Sequence, residues 1–351
     1  MTKFTQSFVW IFAAMSLTAS AQSPTPTPGI KSQVDSLSAA DLQQAISALR
    51  TNFVSPDALN DQEITRATLQ GLISRLGRGA VLIAPTTDGA GQAAESTAFS
   101  ELLDNHIGYL RVGSLTNTNL QAVDKFLANF VTKKVDAVIV DLRVDAPSSD
   151  FSTAAEFAKR FAPKGKALFT MRKASARQDR IFTSERDPVF QGTVMVLADS
   201  ETSGGAEALA GALRSSNKAL VLGATTAGRA VEYSDVALSD NRSLRIASSQ
   251  VLMPDGHSLF PDGVKPDIAV EMSASDKRQI FQVSAQKGMA SFVFEAERPH
   301  LNEAALIAGT NPELEESAQR RARNREASSL RDSVLQRAVD VVTSLAINQK
   351  R

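Results

Sequence analysis

One serine and two glycines stand where a helical pattern begins: Ser203 is followed by Gly204, Gly205 and the apolar spacing of a helix face. Backbone N–H groups in the first turn of a helix have no partner inside the helix, so those of the two glycines could hold a carboxylate or a carbonyl oxygen. The hydroxyl of Ser203 has two open roles. It could cap the helix, or it could act as a nucleophile if a base removed its proton.

Other kinds of chemistry are excluded by composition. The 351 residues contain no cysteine, which removes disulfides, thiolate metal sites and a cysteine nucleophile. The charge of zero, from 38 basic and 38 acidic residues, does not indicate a nucleic-acid binder. No Walker, dinucleotide or zincin motif is present. The three histidines, His106, His257 and His300, share no ligand spacing. Three aspartates lack the calcium-loop pattern and are interpreted as part of a solvated loop: Asp141, Asp145 and Asp150. No metal or cofactor is therefore predicted.

Residues 105–272 alternate between strand and helix patterns, which predicts a layered α/β core. Strands are expected at 107–112, 135–142, 167–171, 193–198 and 219–223, and helices at 119–130, 152–161 and 203–215. Antiparallel strands at 231–238 and 243–253 would be joined by a turn at Asp240 and Asn241. Residues 172–191 are polar and are predicted to form no element.

The flanks of this core have their own patterns. Residues 1–21 are predicted to be a signal peptide, so the protein is expected to be exported, periplasmic or secreted, with an uncleaved anchor as the alternative. A Pro/Thr-rich spacer at 22–37 leads to a helical unit at 38–80 with Ser38 as N-cap, and then to a loop at 81–104. A helical extension at 273–351 is expected to pack on the core or on a second copy, the latter giving a homo-oligomer. Its basic stretch at 319–325 leaves a tail that binds a membrane surface or nucleic acid as the alternative.

Five blocks in order resemble the C-terminal processing, or tail-specific, serine peptidase family: residues 107–112 with 141–143, then 201–213, 221–229, 254–256 and 263–268. The resemblance implies an α/β fold related to the Clp protease and crotonase cores. Many family members insert a PDZ domain where this chain has only the loop at 81–104. It also implies a polypeptide as substrate or partner, with no nucleic acid and no transmembrane segment.

The resemblance places the catalytic serine of the family at Gly204 and its lysine base at Arg229, so both side chains are substituted. A guanidinium stays protonated in proteins and cannot serve as the base. Arg229 is expected either to pair with a backbone group or a carboxylate such as Glu232, or to bind an anionic peptide terminus. The double glycine of the oxyanion loop is missing after Arg143.

These substitutions predict a peptidase-like protein that is catalytically impaired and acts as a peptide- or protein-binding scaffold or regulator. Its binding residues would be Gly204 and Gly205, with Ser148 and Ser149 from the oxyanion loop. The alternative is an active serine-type endopeptidase in which Ser203 is the nucleophile and a lysine such as Lys218 or Lys265 is the base. In a third interpretation, the C-terminal helices assemble the protein into a stable oligomer and the core serves only as a platform for them.

Overall fold

The computed structural model describes residues 30–84, 96–143, 149–175, 178–293 and 330–349. The chain divides into two units, one ending at Gly71 and one beginning at Leu72. The signal peptide and the Pro/Thr run predicted at the N-terminus lie outside the described residues. Within the described part, no helix is both long and apolar enough to cross a membrane.

The first unit is helical, as the sequence predicts. It contains α1 (Ile30–Asp35), α2 (Ala39–Asn52), a 3-10 turn (Pro56–Leu59) and most of α3 (Asp61–Leu76), which continues into the second unit. Ser38 caps α2 as expected, its Oγ accepting a hydrogen bond from the N–H of Asp41 at 3.2 Å. The predicted spacer at 22–37 is too long, because part of it forms helix α1 (Ile30–Asp35).

A six-stranded sheet forms the centre of the second unit, in the order β11-β8-β7-β4-β3-β2. Five strands are parallel and β2 runs antiparallel at one edge. The strands are β2 (Phe99–Leu103), β3 (Ile107–Arg111), β4 (Ala137–Asp141), β7 (Thr193–Ala198), β8 (Leu220–Gly223) and β11 (Ile268–Ala269). Parallel strands end at one edge, which brings the loops after β4, β7 and β8 together.

Side chains of this sheet alternate between two buried clusters, because successive residues of a strand point to opposite faces. In β4, Val138 and Val140 face one cluster and Ile139 faces the other. The first cluster is completed by α4 (Asn117–Thr132), α5 (Phe151–Ala158) and α6 (Gly205–Asn217). A sheet buried on both faces has nearly continuous apolar strands, which is the pattern that made β4 and β7 recognisable.

The C-terminal helices cover the second face of the sheet. These are α7 (Ala274–Lys287) and α8 (Ser333–Gln349), and Ile280, Leu335 and Val342 lie in the second cluster. Of the two expected packing partners, the described part of the extension therefore uses the chain's own core. The basic stretch between these helices, residues 319–325, lies outside the described residues.

A second sheet contains β1 (Ala80–Ile83), β10 (Ser243–Leu252), β5 (Ala167–Lys173) and β6 (Arg180–Thr183), with β9 (Val231–Ala237) also paired to β10. The predicted β9–β10 hairpin is confirmed, with Asp240 and Asn241 both at positive φ in the turn. Four strands were missed. β1 and β2 lie almost wholly in the predicted loop 81–104, β6 lies in the polar stretch 172–191, and β11 follows the last predicted strand. Each is a short strand at or near a sheet edge, where exposure weakens the apolar alternation.

Candidate active site

The candidate site lies at the carboxyl ends of the parallel strands β4, β7 and β8. Arg143 follows β4, the turn 199–204 follows β7 and leads into α6, and the loop 224–229 follows β8. The turn is tied to both neighbours. Thr202 donates from Oγ1 to the carbonyl of Leu142 at 3.1 Å, and its own carbonyl accepts from the N–H of Ala227 at 2.9 Å.

Gly204 forms the sharp bend between the turn and α6. Its φ of 60° and ψ of −119° belong to a region that essentially only glycine adopts without strain. In α/β-hydrolases the nucleophilic serine occupies a strained turn of this kind between a strand and a helix. Gly204 therefore has the backbone geometry of a strained strand-to-helix turn and no side chain.

A buried carboxylate, that of Glu207, fixes this bend. Its Oε2 accepts the N–H groups of Gly204 at 3.0 Å and Arg229 at 2.7 Å. Its Oε1 accepts the Thr226 hydroxyl at 2.5 Å and the N–H of Gly228 at 2.6 Å. Because four donors from two loops converge on one carboxylate, the main-chain N–H groups of positions 204 and 229 are held together through Glu207.

The environment of Glu207 opposes its negative charge. Burial raises the pKa of this carboxyl above its ordinary value, and the hydrogen bonds from Thr226, Arg229, Gly228 and Gly204 lower it without cancelling that effect. The N–H of Gly204 is used by this contact and is not offered to a ligand. The N–H of Gly205 has no acceptor among the described residues.

Ser203 does not cap α6. The N-cap is Gly204, and the Ser203 hydroxyl makes no hydrogen bond with the described part of the chain. Ser203 is only 6% exposed, yet no side-chain oxygen or nitrogen sealed from solvent lacks a partner in that part. Within the described part of the chain, the hydroxyl of Ser203 therefore has no hydrogen-bond partner and keeps some contact with solvent.

The Arg229 side chain is exposed and has no hydrogen-bond or ion-pair partner among the described residues. The predicted contact with Glu232 is wrong, because Arg180 donates to that carboxylate at 2.7 Å. A second guanidinium lies beside this loop: Arg78 donates to the carbonyl of Ala227. Both arginines lack a carboxylate partner within the described structure.

The two lysines considered as bases for Ser203 lie at the other end of α6. Lys218 is the C-cap of this 13-residue helix, whose rise separates it from Ser203 by about 20 Å. The backbone carbonyl of Lys265 accepts from Arg214 Nη1 at 3.1 Å, in the last turns of α6. Lys265 also lines a cavity of about 560 Å³ with Gly211.

A different lysine, Lys277 of α7, supports the turn after β7. It is 4% exposed, and its Nζ donates to Asp199 at 2.6 Å and to Glu201 at 2.5 Å. The other oxygen of Asp199, Oδ1, accepts the N–H groups of Glu201 and Thr202, each at 3.0 Å. Lys277 thus links the C-terminal extension to the turn that leads to Gly204. Its ammonium group is paired with two carboxylates.

Arg143 makes the second link to the extension. It is buried, donates to both oxygens of Asp141, and donates to Asp332 Oδ1 and Oδ2 at 3.0 and 2.8 Å. Tyr109 donates to Asp141 Oδ2 at 2.8 Å. Burial raises the pKa of Asp141, but the charge and hydrogen bonds of Arg143 outweigh it, and the pKa lies below its ordinary value.

The interpretation of the aspartates as a solvated loop is therefore wrong for Asp141, which is buried. Asp150 instead caps α5, accepting from the N–H of Thr153 at 3.0 Å. Asp145 and the predicted binding residue Ser148 lie outside the described residues. Ser149 is exposed, two residues before α5, and nothing in the described structure joins it to Gly205.

Comparison with known proteins places this site in a family. The model of peptidase family S41 matches residues 106–270, which include β3 to β11 and every site residue from Asp141 to Arg229. The region that carries the site is similar to the C-terminal processing peptidases of family S41. The resemblance of the sequence blocks to that family is confirmed, and so is the layered α/β class of the core.

The relatives found are distant. The carboxy-terminal processing protease CtpA of Bacillus subtilis is 24% identical over 176 residues, 50% of this chain and 37% of that protein. The carboxy-terminal-processing protease of Bartonella bacilliformis is 26% identical over 52% of this chain and 43% of its own length. The matches thus span less than half of these relatives. A putative peptidase from Parabacteroides merdae shares the fold, with a TM-score of 0.50 and 17% identity over 71% of this chain and 89% of that one.

Sequence reasoning missed the residues that hold the site in place. Glu207 did carry a local signal, because a glutamate three residues after a helix N-cap indicates a bond back to the cap. Thr226 carried no such signal. Asp199, Lys277 and Asp332 act across long stretches of chain, so no local spacing could have indicated them.

Proposed function

We propose that this chain is a peptidase-like member of family S41 that has lost the catalytic pair and binds a polypeptide as a scaffold or regulator. The observation that carries the proposal is the convergence of Gly204 and Arg229 on one oxygen of Glu207. The backbone of the two dyad-equivalent positions is kept together, and neither side chain can perform the step that its position requires.

The chemistry of the two positions supports this. A Ser/Lys mechanism needs a hydroxyl to attack the scissile carbonyl and a neutral amine to take its proton. Gly204 has no side chain, and a guanidinium, unlike an amine, does not serve as a proton acceptor in proteins. A peptide carbonyl or carboxylate arriving at the start of α6 would therefore meet hydrogen-bond donors and no nucleophile at position 204.

The alternative is an endopeptidase that uses Ser203, and the open, unpartnered hydroxyl of this residue is the observation in its favour. It needs a base. Lys218 and Lys265 lie towards the far end of α6, and Lys277 is taken up by Asp199 and Glu201. These positions support the impaired protein over the active one.

Reaction with a fluorophosphonate distinguishes the impaired protein from an endopeptidase that uses Ser203. This reagent forms a covalent bond to an activated serine and spares an ordinary one. We expect no labelling of the wild-type protein above the level of Ser203→Ala, with Ser200→Ala as the matched control for loss of one hydroxyl from the same turn. Labelling of wild type that disappears only in Ser203→Ala would establish the alternative.

The polypeptide ligand and the cellular location are parts of the same proposal. The relatives are named as proteases that process carboxyl termini, which supports a polypeptide as the ligand. The N-terminal pattern of residues 1–21 supports export to a periplasmic or extracellular location. Oligomer formation through the C-terminal helices would need surface that α7 and α8 do not already bury against the sheet.

A further inference from the structure

The turn between β7 and α6 is shaped by a carboxylate that also contacts α7. Asp199 Oδ1 accepts the N–H groups of Glu201 and Thr202, each at 3.0 Å, and so closes the turn. Asp199 Oδ2 accepts from Lys277 Nζ at 2.6 Å. Lys277 lies in α7, which follows the part of the chain that matches family S41. The conformation of a site loop therefore depends on a helix of the C-terminal extension.

Thr202 passes this restraint to the other two loops of the site. It is fully buried, and its Oγ1 accepts from the N–H of Asp199 at 3.0 Å and donates to the carbonyl of Leu142 at 3.1 Å. The carbonyl of Thr202 accepts from the N–H of Ala227 at 2.9 Å. Gly204 follows two residues later in the chain. A movement of Asp199 would therefore change the bend at the start of α6 and its contacts with the loops after β4 and β8.

A second anchor, from the start of α8, holds the neighbouring loop. Asp332 accepts the N–H of Leu335 at 2.9 Å and the two Nη groups of Arg143 at 3.0 and 2.8 Å. Arg143 follows Leu142, whose carbonyl accepts from Thr202. Two helices of the extension thus bind, through separate ion pairs, two site loops that are hydrogen-bonded to each other.

Both anchors border one small cavity, of about 60 Å³, between the turn after β7 and the starts of α7 and α8. Its lining includes Arg143, Asp199, Lys277 and Val334. This volume is enough for water, which needs about 10–15 Å³. The Lys277 ammonium has three N–H donors, and Asp199 and Glu201 accept two of them. Water in the cavity could replace a carboxylate at this ammonium, so the ion pairs can open while the apolar cluster beneath α7 and α8 stays packed.

We propose that α7 and α8 form a latch that regulates the candidate site. While Lys277 holds Asp199 and Asp332 holds Arg143, the start of α6 has the conformation that binds a polypeptide, and opening of these ion pairs weakens binding. The proposal rests on the proposed function and adds its regulation. Because coupling between two sites is reciprocal, a bound polypeptide also stabilises the docked extension. Lys277 is then a positioning residue, since it acts on the site through Asp199.

Amide hydrogen exchange of the whole purified protein tests the restraint on the turn. Lys277→Met keeps an unbranched side chain of similar length and removes its charge. We expect exchange in residues 199–205 to rise about tenfold relative to β4, the scale of one hydrogen bond to a charged group. Lys287→Met is the matched control, because Lys287 is exposed in the last turn of the same helix, and it should leave the turn unchanged. Lys277→Arg should restore part of the protection.

Binding of an unfolded polypeptide tests the coupling. The probe is fluorescein-labelled α-lactalbumin, reduced and carboxymethylated so that it stays unfolded, and its binding is measured by fluorescence polarisation. We expect Lys277→Met to bind the probe about tenfold more weakly than wild type, and Lys287→Met to bind it as well as wild type. In wild type, the probe should slow amide exchange in the first turns of α7 and α8.

The outcomes distinguish failure of the latch from failure of the proposed function. Exchange that rises in β4 as much as in the turn would overturn the latch, because it would show a general loss of stability. Wild-type affinity in Lys277→Met, or exchange in α7 and α8 that the bound probe leaves unchanged, would also overturn it and leave polypeptide binding standing. A wild-type protein that does not bind the probe would overturn the proposed function and the coupling together.

Discussion

Gly204 and Arg229 donate their backbone N–H groups to the same oxygen of a buried carboxylate, at 3.0 and 2.7 Å. That carboxylate belongs to Glu207, and neither contact uses the side chain at position 204 or 229. The distance between these two backbone positions is therefore set by Glu207 and by main-chain N–H groups, not by hydrogen bonds from the side chains at 204 and 229.

The first prediction concerns Glu207 itself. In Glu207→Gln the amide NH₂ would replace one oxygen and face two of the four donors, so at least one backbone N–H loses its acceptor. The relief of a buried charge offsets part of this, and we expect the free energy of unfolding to fall by about 2 kcal/mol. Urea unfolding followed by circular dichroism measures it. The control, Glu232→Gln, removes a half-buried carboxylate paired with Arg180, and should change stability by less than about 1 kcal/mol. Equal effects of the two substitutions would contradict the role assigned to Glu207.

The bend at Gly204 leads to a second prediction. A Cβ at φ 60° and ψ −119° is strained, so Gly204→Ala should lower the free energy of unfolding by about 1–3 kcal/mol. Gly71→Ala in α3 is the matched control. No atom lies within 4 Å of its added Cβ, and alanine favours a helix, so it should be neutral or slightly stabilising. If Gly204→Ala were as stable as the control, the bend would not have the geometry described.

A third prediction concerns acid. Because the pKa of Asp141 is lowered in the folded protein, its contribution to stability is complete above its ordinary value of 3.8 and is lost as the pH falls below it. In Asp141→Asn this contribution is absent, so stability should decline less steeply between about pH 4 and about pH 2 than in wild type. Urea unfolding over this range would measure the slope. Asp240→Asn, in the exposed β9–β10 turn, should keep the wild-type slope, and a wild-type slope in Asp141→Asn would refute the assignment.

The docking of α8 supplies a fourth prediction. Asp332 accepts from the buried Arg143 and also from the N–H of Leu335 in the first turn of α8. Removing it in Asp332→Ala leaves a buried cation with one partner instead of two, which should cost about 3 kcal/mol. Hydrogen exchange should show faster opening of α8 as well. The control, Asp340→Ala at an exposed position of the same helix, should change neither the stability nor the hydrogen exchange of α8. Wild-type protection of α8 in Asp332→Ala would argue against the contact between Asp332 and Arg143.

The central parallel strands and the helices around them could be predicted from the sequence, because burial on both faces makes β4 and β7 continuously apolar. The β9–β10 hairpin could also be predicted, since Asp240 and Asn241 tolerate positive φ. The edge strands β1, β2, β6 and β11 were not, because a short or exposed strand carries no clear alternation. Ends of elements shifted by one to three residues where caps, as at Asp150, define them better than periodicity.

The site was predictable only in part. The proposed equivalence of Gly204 and Arg229 to a catalytic pair rests on sequence blocks. The buried contacts that hold these positions could not be predicted from the sequence. Arg143 and Asp332 are joined across 189 residues, and Asp199 and Lys277 across 78. Pairing over such distances depends on how helices close over the sheet, and no local pattern reports it. The same reason made Asp141 look like a loop residue.

Degradation of an unfolded protein tests the central claim most directly. Wild type would be compared with the double variant Gly204→Ser, Arg229→Lys, and with Gly204→Ala, Arg229→Lys, which matches it except for one hydroxyl. Folding of each would be checked by circular dichroism, since position 204 is strained for any side chain. The account predicts that wild type and the alanine control are inert and that the serine variant cleaves. Cleavage by wild type that is abolished in Ser203→Ala would contradict it.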